Sequence, residues 1–127
     1  MEAIKMNAVS EKQRTYAMKV RADALNGLEQ FRAIFQDSTS FYGKNMLSIY
    51  NAGRGLILEI SDAAYMIENA ALIAEETKAF AEKWEQHYNY CKQHGKKPHS
   101  AQLILKCAAP TATGCRYLTA DMLTEQN

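Results

Sequence analysis

Proline is nearly absent from this sequence, with two in 127 residues, and glycine is sparse, with six. That excludes collagen-like and proline-rich low-complexity classes and argues against a turn-rich β-sandwich. Long apolar runs are missing too. No stretch of Leu, Ile and Val exceeds the length of Leu56-Ile57-Leu58, which Glu59 breaks, whereas a membrane-spanning helix needs about 20 residues. Met1 to Asn7 lacks the apolar stretch of a secretory signal, and neither a myristoylation pattern nor a prenylation box is present. Cysteine is scarce and odd in number, at three, with no regular spacing, so no disulfide framework is expected. A reducing, cytoplasmic setting and no membrane contact follow as expectations.

What is present is ordinary for a globular chain: 47% hydrophobic and 23% charged residues, with a formal net charge of +1. A chain of 127 residues is one domain's worth. Folding at that size buries roughly two-thirds of the surface exposed by the unfolded form, enough for a core without metal or disulfide support.

Ser10-Glu11-Lys12-Gln13 reads as a capping box opening a helix. Ala17, Val20, Ala24, Gly27, Phe31 and Ile34 follow at alternating three- and four-residue spacing, flanked by Leu28 and Phe35, and form one helical face. Asp37-Ser38-Thr39-Ser40 supplies the turn that ends it and the cap that starts the next helix. Met46, Ile49, Gly53, Leu56, Ile60, Ala63 and Ile67 keep the same spacing, with a kink or short loop expected at Asn51 to Gly55. The competing reading is a β-hairpin at 46–60 turning on Gly53-Arg54-Gly55. The third seam is Met66, Ala70, Ile73, Thr77, Phe80, Trp84, His87 and Cys91, stopped by His94-Gly95 and Pro98. Ser100 to Ala108 and Thr113 to Thr124 read as two short helices, although Leu103-Ile104-Leu105 would equally suit a strand. The expected fold is thus a single-domain all-α bundle with helices near 10–37, 40–60 and 62–94 and a short helical segment in 99–127. The runner-up is an α+β fold with the hairpin at 46–60. Gly27 is expected to lie opposite Tyr50 or Gly53 at a close helix crossing, because a mid-helix glycine costs about 1 kcal/mol relative to alanine.

Most chemical signatures fail. Gly53-Arg54-Gly55 is too short for a dinucleotide fingerprint, no phosphate-binding loop ends in Gly-Lys-Ser or Gly-Lys-Thr, and there is no Gly-x-Ser-x-Gly elbow. Cys91 has His87 and His94 within a turn on either side, but no third group to orient a base is visible. The same three residues, at i, i+4 and i+7, are weak candidates for a zinc site, with His99, Cys107 and Cys115 following. His87 and Cys91 also continue the hydrophobic seam, so semi-buried packing is the plainer reading. Glu59 and Asp62 form a lone acidic pair, and no Glu-x-x-His pair exists for a carboxylate-bridged metal. No cofactor is expected.

Charge is unevenly placed. Residues 55–85 sum to −5, and residues 86–120 carry Lys92, Lys96, Lys97, Lys106 and Arg116 without one acid. Tyr88, Tyr90 and Tyr117 interleave with these cations, and tyrosine, at seven, outnumbers the other aromatics. Tyrosine suits interfaces, since it offers broad contact area with a polar end. Cations could pair with the acidic third helix, complement its C-terminal dipole, or face a partner. The leading functional expectation is a non-enzymatic intracellular module that binds another protein as adaptor, regulator or inhibitor. Its candidate contacts are Tyr88, Tyr90, Lys92, Lys96, Lys97, Lys106 and Arg116. The alternative is a nucleic-acid-binding regulator using Lys92 to Arg116, disfavoured by a density of about one cation per seven residues. Oligomeric state is left open, a homo-oligomer included.

Overall fold

The computed structural model describes residues 7–101 and the two strand segments 105–107 and 115–117. Three helices carry the fold: α1, Glu11–Phe35; α2, Phe41–Leu58; and α3, Ala63–Gln93. Each packs against the other two, which makes the molecule a small all-α bundle.

Every helix starts from a side chain that accepts a first-turn amide. The Ser10 hydroxyl accepts from the Gln13 N–H at 3.1 Å, Ser40 from the Gly43 N–H at 3.0 Å, and Asp62 from the Tyr65 N–H at 2.9 Å. The Gln13 side chain reaches back to the Val9 N–H at 2.9 Å, closing the box one residue earlier than expected. At the far end of α3, Gly95 takes φ +66°, and the Lys96 N–H donates to the Cys91 carbonyl at 2.8 Å. This Schellman closure needs a residue tolerant of left-handed backbone, hence glycine.

Two expectations change. The helix α2 runs unbroken through Asn51 to Gly55, which removes both the loop there and the hairpin at 46–60. The reason is tertiary: Gly53 is buried where α2 crosses α3, and a Cβ on it would lie 2.2 Å from the Thr77 hydroxyl oxygen. Glycine serves close approach there and does not break the helix. Beyond α3, Leu105–Cys107 (β1) and Cys115–Tyr117 (β2) pair antiparallel, with Leu105 opposite Tyr117, Lys106 opposite Arg116 and Cys107 opposite Cys115. These six residues are strand where short helices were expected. Leu105, Cys107 and Tyr117 are apolar or aromatic residues of the kind that suit a pleated ribbon. The rest of the two expected helices lies outside the described residues.

The core is built from Leu28, Ile49, Ile57, Met66 and Trp84, with alanines lining α1 and α3 where the helices meet. All eight seam positions on α3 are buried. On α1 the seam departs from its expected course: Ala17 and Ala24 are buried, but Ile34 is 69% exposed while Leu28 is fully buried. A seam spaced at 3.5 residues drifts about 20° per heptad around a straight helix of 3.6 residues per turn. By the end of α1 the inward face has therefore moved from Gly27 and Ile34 to Leu28 and Phe35. The loop between α2 and α3 is pinned by Asn7, whose N–H donates to the Ser61 carbonyl at 2.6 Å and whose carbonyl accepts from the Ala63 N–H at 2.8 Å. Among the described residues no helix is long and apolar enough to cross a membrane.

Candidate functional site

Aromatic side chains gather where α1 hands over to α2, beside the C-terminal half of α3. Phe31 and Phe35 stack on Tyr50 at 5.5 and 6.5 Å between centroids, and Phe35 meets Tyr42 edge-on at 5.9 Å. Tyr42 in turn lies 5.9 Å from Trp84 and 5.1 Å from Tyr88, with Phe41 6.1 Å from Trp84. The Tyr42 hydroxyl donates to the Glu85 carboxylate, which supplies the partner a half-buried phenol needs. Burial, reinforced by that carboxylate, pushes the Tyr42 pKa up to about 12. Burial also raises Tyr50, with Glu82 and Glu85 adding to it. Both phenols stay neutral across the physiological range.

The chain leaving α3 folds back over this aromatic end. Trp84 is fully buried, and its indole N–H donates to the His99 carbonyl at 2.9 Å. The His99 N–H donates to His87 Nε2 at 3.0 Å, and the two imidazoles stack at 5.4 Å. One turn on, Cys91 Sγ is 3.9 Å from both ring nitrogens of His87. The Ala101 N–H reaches the Asn45 side-chain oxygen of α2 at 2.8 Å. Residues 96–101 thus form a returning segment whose backbone is held by side chains of two helices. Because Nε2 of His87 accepts a hydrogen bond, the ring is neutral with its proton on Nδ1. Burial, with His99 adding to it, lowers the His87 pKa below its ordinary value.

His94 does not join His87 and Cys91. It caps α3, stacks on Tyr90 at 4.1 Å, and bonds through Nδ1 to the Tyr90 carbonyl at 2.8 Å. The last turn of α3 departs from helical geometry at this residue, which takes its ring off the face shared by the other two. Among the described residues no group of three or more His, Cys, Asp or Glu is placed to hold a metal ion. The trio considered for zinc is therefore split, and His87 is engaged by the returning backbone. Glu59 and Asp62 are likewise apart in role, since Asp62 caps α3 and Glu59 ends α2.

Lys92, Lys96 and Lys97 are exposed at the tip of α3. The Lys96 ammonium lies 5.4 Å from the centre of the Tyr90 ring and that of Lys92 5.9 Å from Tyr88. Described ion pairs join Arg14 to Glu11 and Arg32 to Glu29, and none of the three lysines is drawn onto the acidic stretch of α3. Lys92 sits in the last helical turn, where its charge complements the helix dipole. Tyr88 packs into the aromatic cluster, whereas Tyr90 is 46% exposed. Of the expected contact residues, the structure therefore brings Tyr90, Lys92, Lys96 and Lys97 together at one end. Lys106 and Arg116 are paired in the backbone register of β1 and β2.

Sequence reading missed the anchoring roles of Asn45 and of the His99 backbone. A usable signal did exist, because a buried indole needs an acceptor, and Gly95 and Pro98 turn the chain back toward it. The chain matches no protein-family model, no curated protein and no solved structure.

Proposed function

We propose that the protein is a non-enzymatic helical module that acts by binding another protein, with the tip of α3 as the contact and an acidic surface as its target. The observation carrying this reading is the state of the tip: an exposed Tyr90 flanked by cations that, among the described residues, have no carboxylate partners, on the end of the longest described helix. Cations that support a fold are usually engaged by it, whereas these are available to a ligand. A long-range field from such a cluster speeds encounter with an anionic partner and sets its orientation. The role is that of an adaptor, regulator or inhibitor of the partner.

Nucleic acid would exploit the same charges but also needs open aromatic faces for base stacking. His94 stacks on Tyr90 and the Lys96 ammonium lies over its ring, so a base would first have to displace them. That favours a protein surface. The test replaces Tyr90 with benzoylphenylalanine in the native host and compares its photo-adducts with those from the same group at exposed Leu72. The reading expects a discrete protein adduct from position 90, lost when Lys92, Lys96 and Lys97 are changed to Ala and missing from position 72. Nucleic-acid adducts, or equal adducts from both positions, would overturn it.

A further inference from the structure

We infer that His87 is an acid-sensitive latch for the chain segment 96–101, held shut while its Nε2 is unprotonated and released when that atom takes a proton. The inference rests on geometry that is independent of whichever partner the tip binds. The returning segment is tied down at His99 by two bonds of opposite sense: its carbonyl accepts from Trp84 and its N–H donates to His87 Nε2. The second bond needs a lone pair. An imidazolium has none, since both of its nitrogens are donors. One proton therefore removes the acceptor and sets two N–H groups against each other at 3.0 Å. It also puts a cation against the stacked His99 ring, at a site that is only 7% exposed.

His99 and Cys91, which meet His87 among the described residues, do not favour that cation. From the returning segment the facing group is His99, whose charge would oppose it, and from the next turn of α3 it is the Cys91 sulfur. Glu85, the nearest carboxylate along α3, is turned to the Tyr42 hydroxyl of α2. On α2 the group that meets the segment is the uncharged amide of Asn45. The direction of the pH effect follows. The closed form holds His87 below the ordinary imidazole value of 6.5, so the open form binds more protons. Closure is complete above that value and weakens as the pH falls below it. What opens is the stretch joining the basic tip to β1 and β2, so acidification would re-aim Lys96 and Lys97.

Hydrogen exchange followed by NMR at pH 7.5 and pH 5.5 tests this, with the protection factors of the Trp84 indole N–H and the His99 amide as readouts. One proton taken up on opening predicts a loss of protection of up to about tenfold at one pH unit below the ordinary imidazole value. Core amides of α3, such as that of Ala74, should keep theirs. His87→Gln, which retains a neutral acceptor, should abolish the pH response, and His99→Gln and His94→Gln should leave it in place. Equal protection at both pH values in the parent, a response surviving His87→Gln, or one abolished by His99→Gln would each overturn the inference. So would a parallel loss at Ala74, which would mean general unfolding.

Discussion

Helices α1 and α3 were drawn from the same pattern of apolar spacing, yet they use it differently. Every seam position of α3, from Met66 to Cys91, is buried, because α3 is covered by α1 and α2 and then by the returning segment. On α1 only part of the seam is inside: Leu28 replaces Gly27 as the buried position, and Ile34 faces outward. A helix packed from several sides tolerates drift in its stripe, since whichever face the drift reaches meets another element. Helix α1 packs against α2 and α3 but has no returning segment over it, and its last turns show the drift as exposed apolar residues.

The largest effect should come from the buried end of that contrast. Leu28→Ala is expected to destabilise by about 2–5 kcal/mol through lost burial and a residual cavity. Ile34→Ala should change stability by roughly 0.5 kcal/mol or less, as exposed positions do. Denaturant melts of both variants measure this directly, and equal losses would restore the undrifted seam.

Glycines sharpen the comparison further. Gly53→Ala should be destabilising, with an overpacking cost of about 1–3 kcal/mol that outweighs the gain in helix propensity, because Thr77 Oγ1, Cγ2 and Cβ all lie within 3.0 Å of the added carbon. Adding Thr77→Ala should recover part of the loss, as a coupled pair would. Gly27→Ala should do the reverse and stabilise by up to about 1 kcal/mol. Its nearest neighbour is the Lys78 ammonium at 3.5 Å, the mobile end of a long side chain, and not Tyr50 or Gly53 as the spacing suggested. Thermal melts showing Gly27→Ala as the more damaging of the two would reverse the assignment of the tight crossing.

Caps and stops were legible in the sequence because their chemistry is local. Ser10, Ser40 and Gly95 each act within a few residues of their own position. The seam of α3 was legible for a different reason, its period repeating over 31 residues. Gly53 was misread because a glycine accommodating Thr77 across a helix contact looks the same in sequence as one opening a loop. The returning segment was hidden for a related reason. Its ties to Trp84, His87 and Asn45 run from backbone to side chain, and backbone donors leave no period to read. At the candidate site the cations and tyrosines are visible as composition, whereas their separation from the acids of α3 is set by the tertiary fold.

On the proposed reading, the α3 tip serves a protein partner and not the fold or a nucleic acid. The most direct measurement titrates the parent and the Lys92→Ala, Lys96→Ala, Lys97→Ala triple variant with a mixed-sequence oligonucleotide across a salt series. Negligible binding by either is expected at physiological salt. Nearly equal melts are expected too, since the exposed cation–π contacts of Lys92 and Lys96 contribute about 0.5–1 kcal/mol each. A micromolar or tighter complex of the parent, with a log–log salt slope near about −3 that the triple variant loses, would contradict that reading.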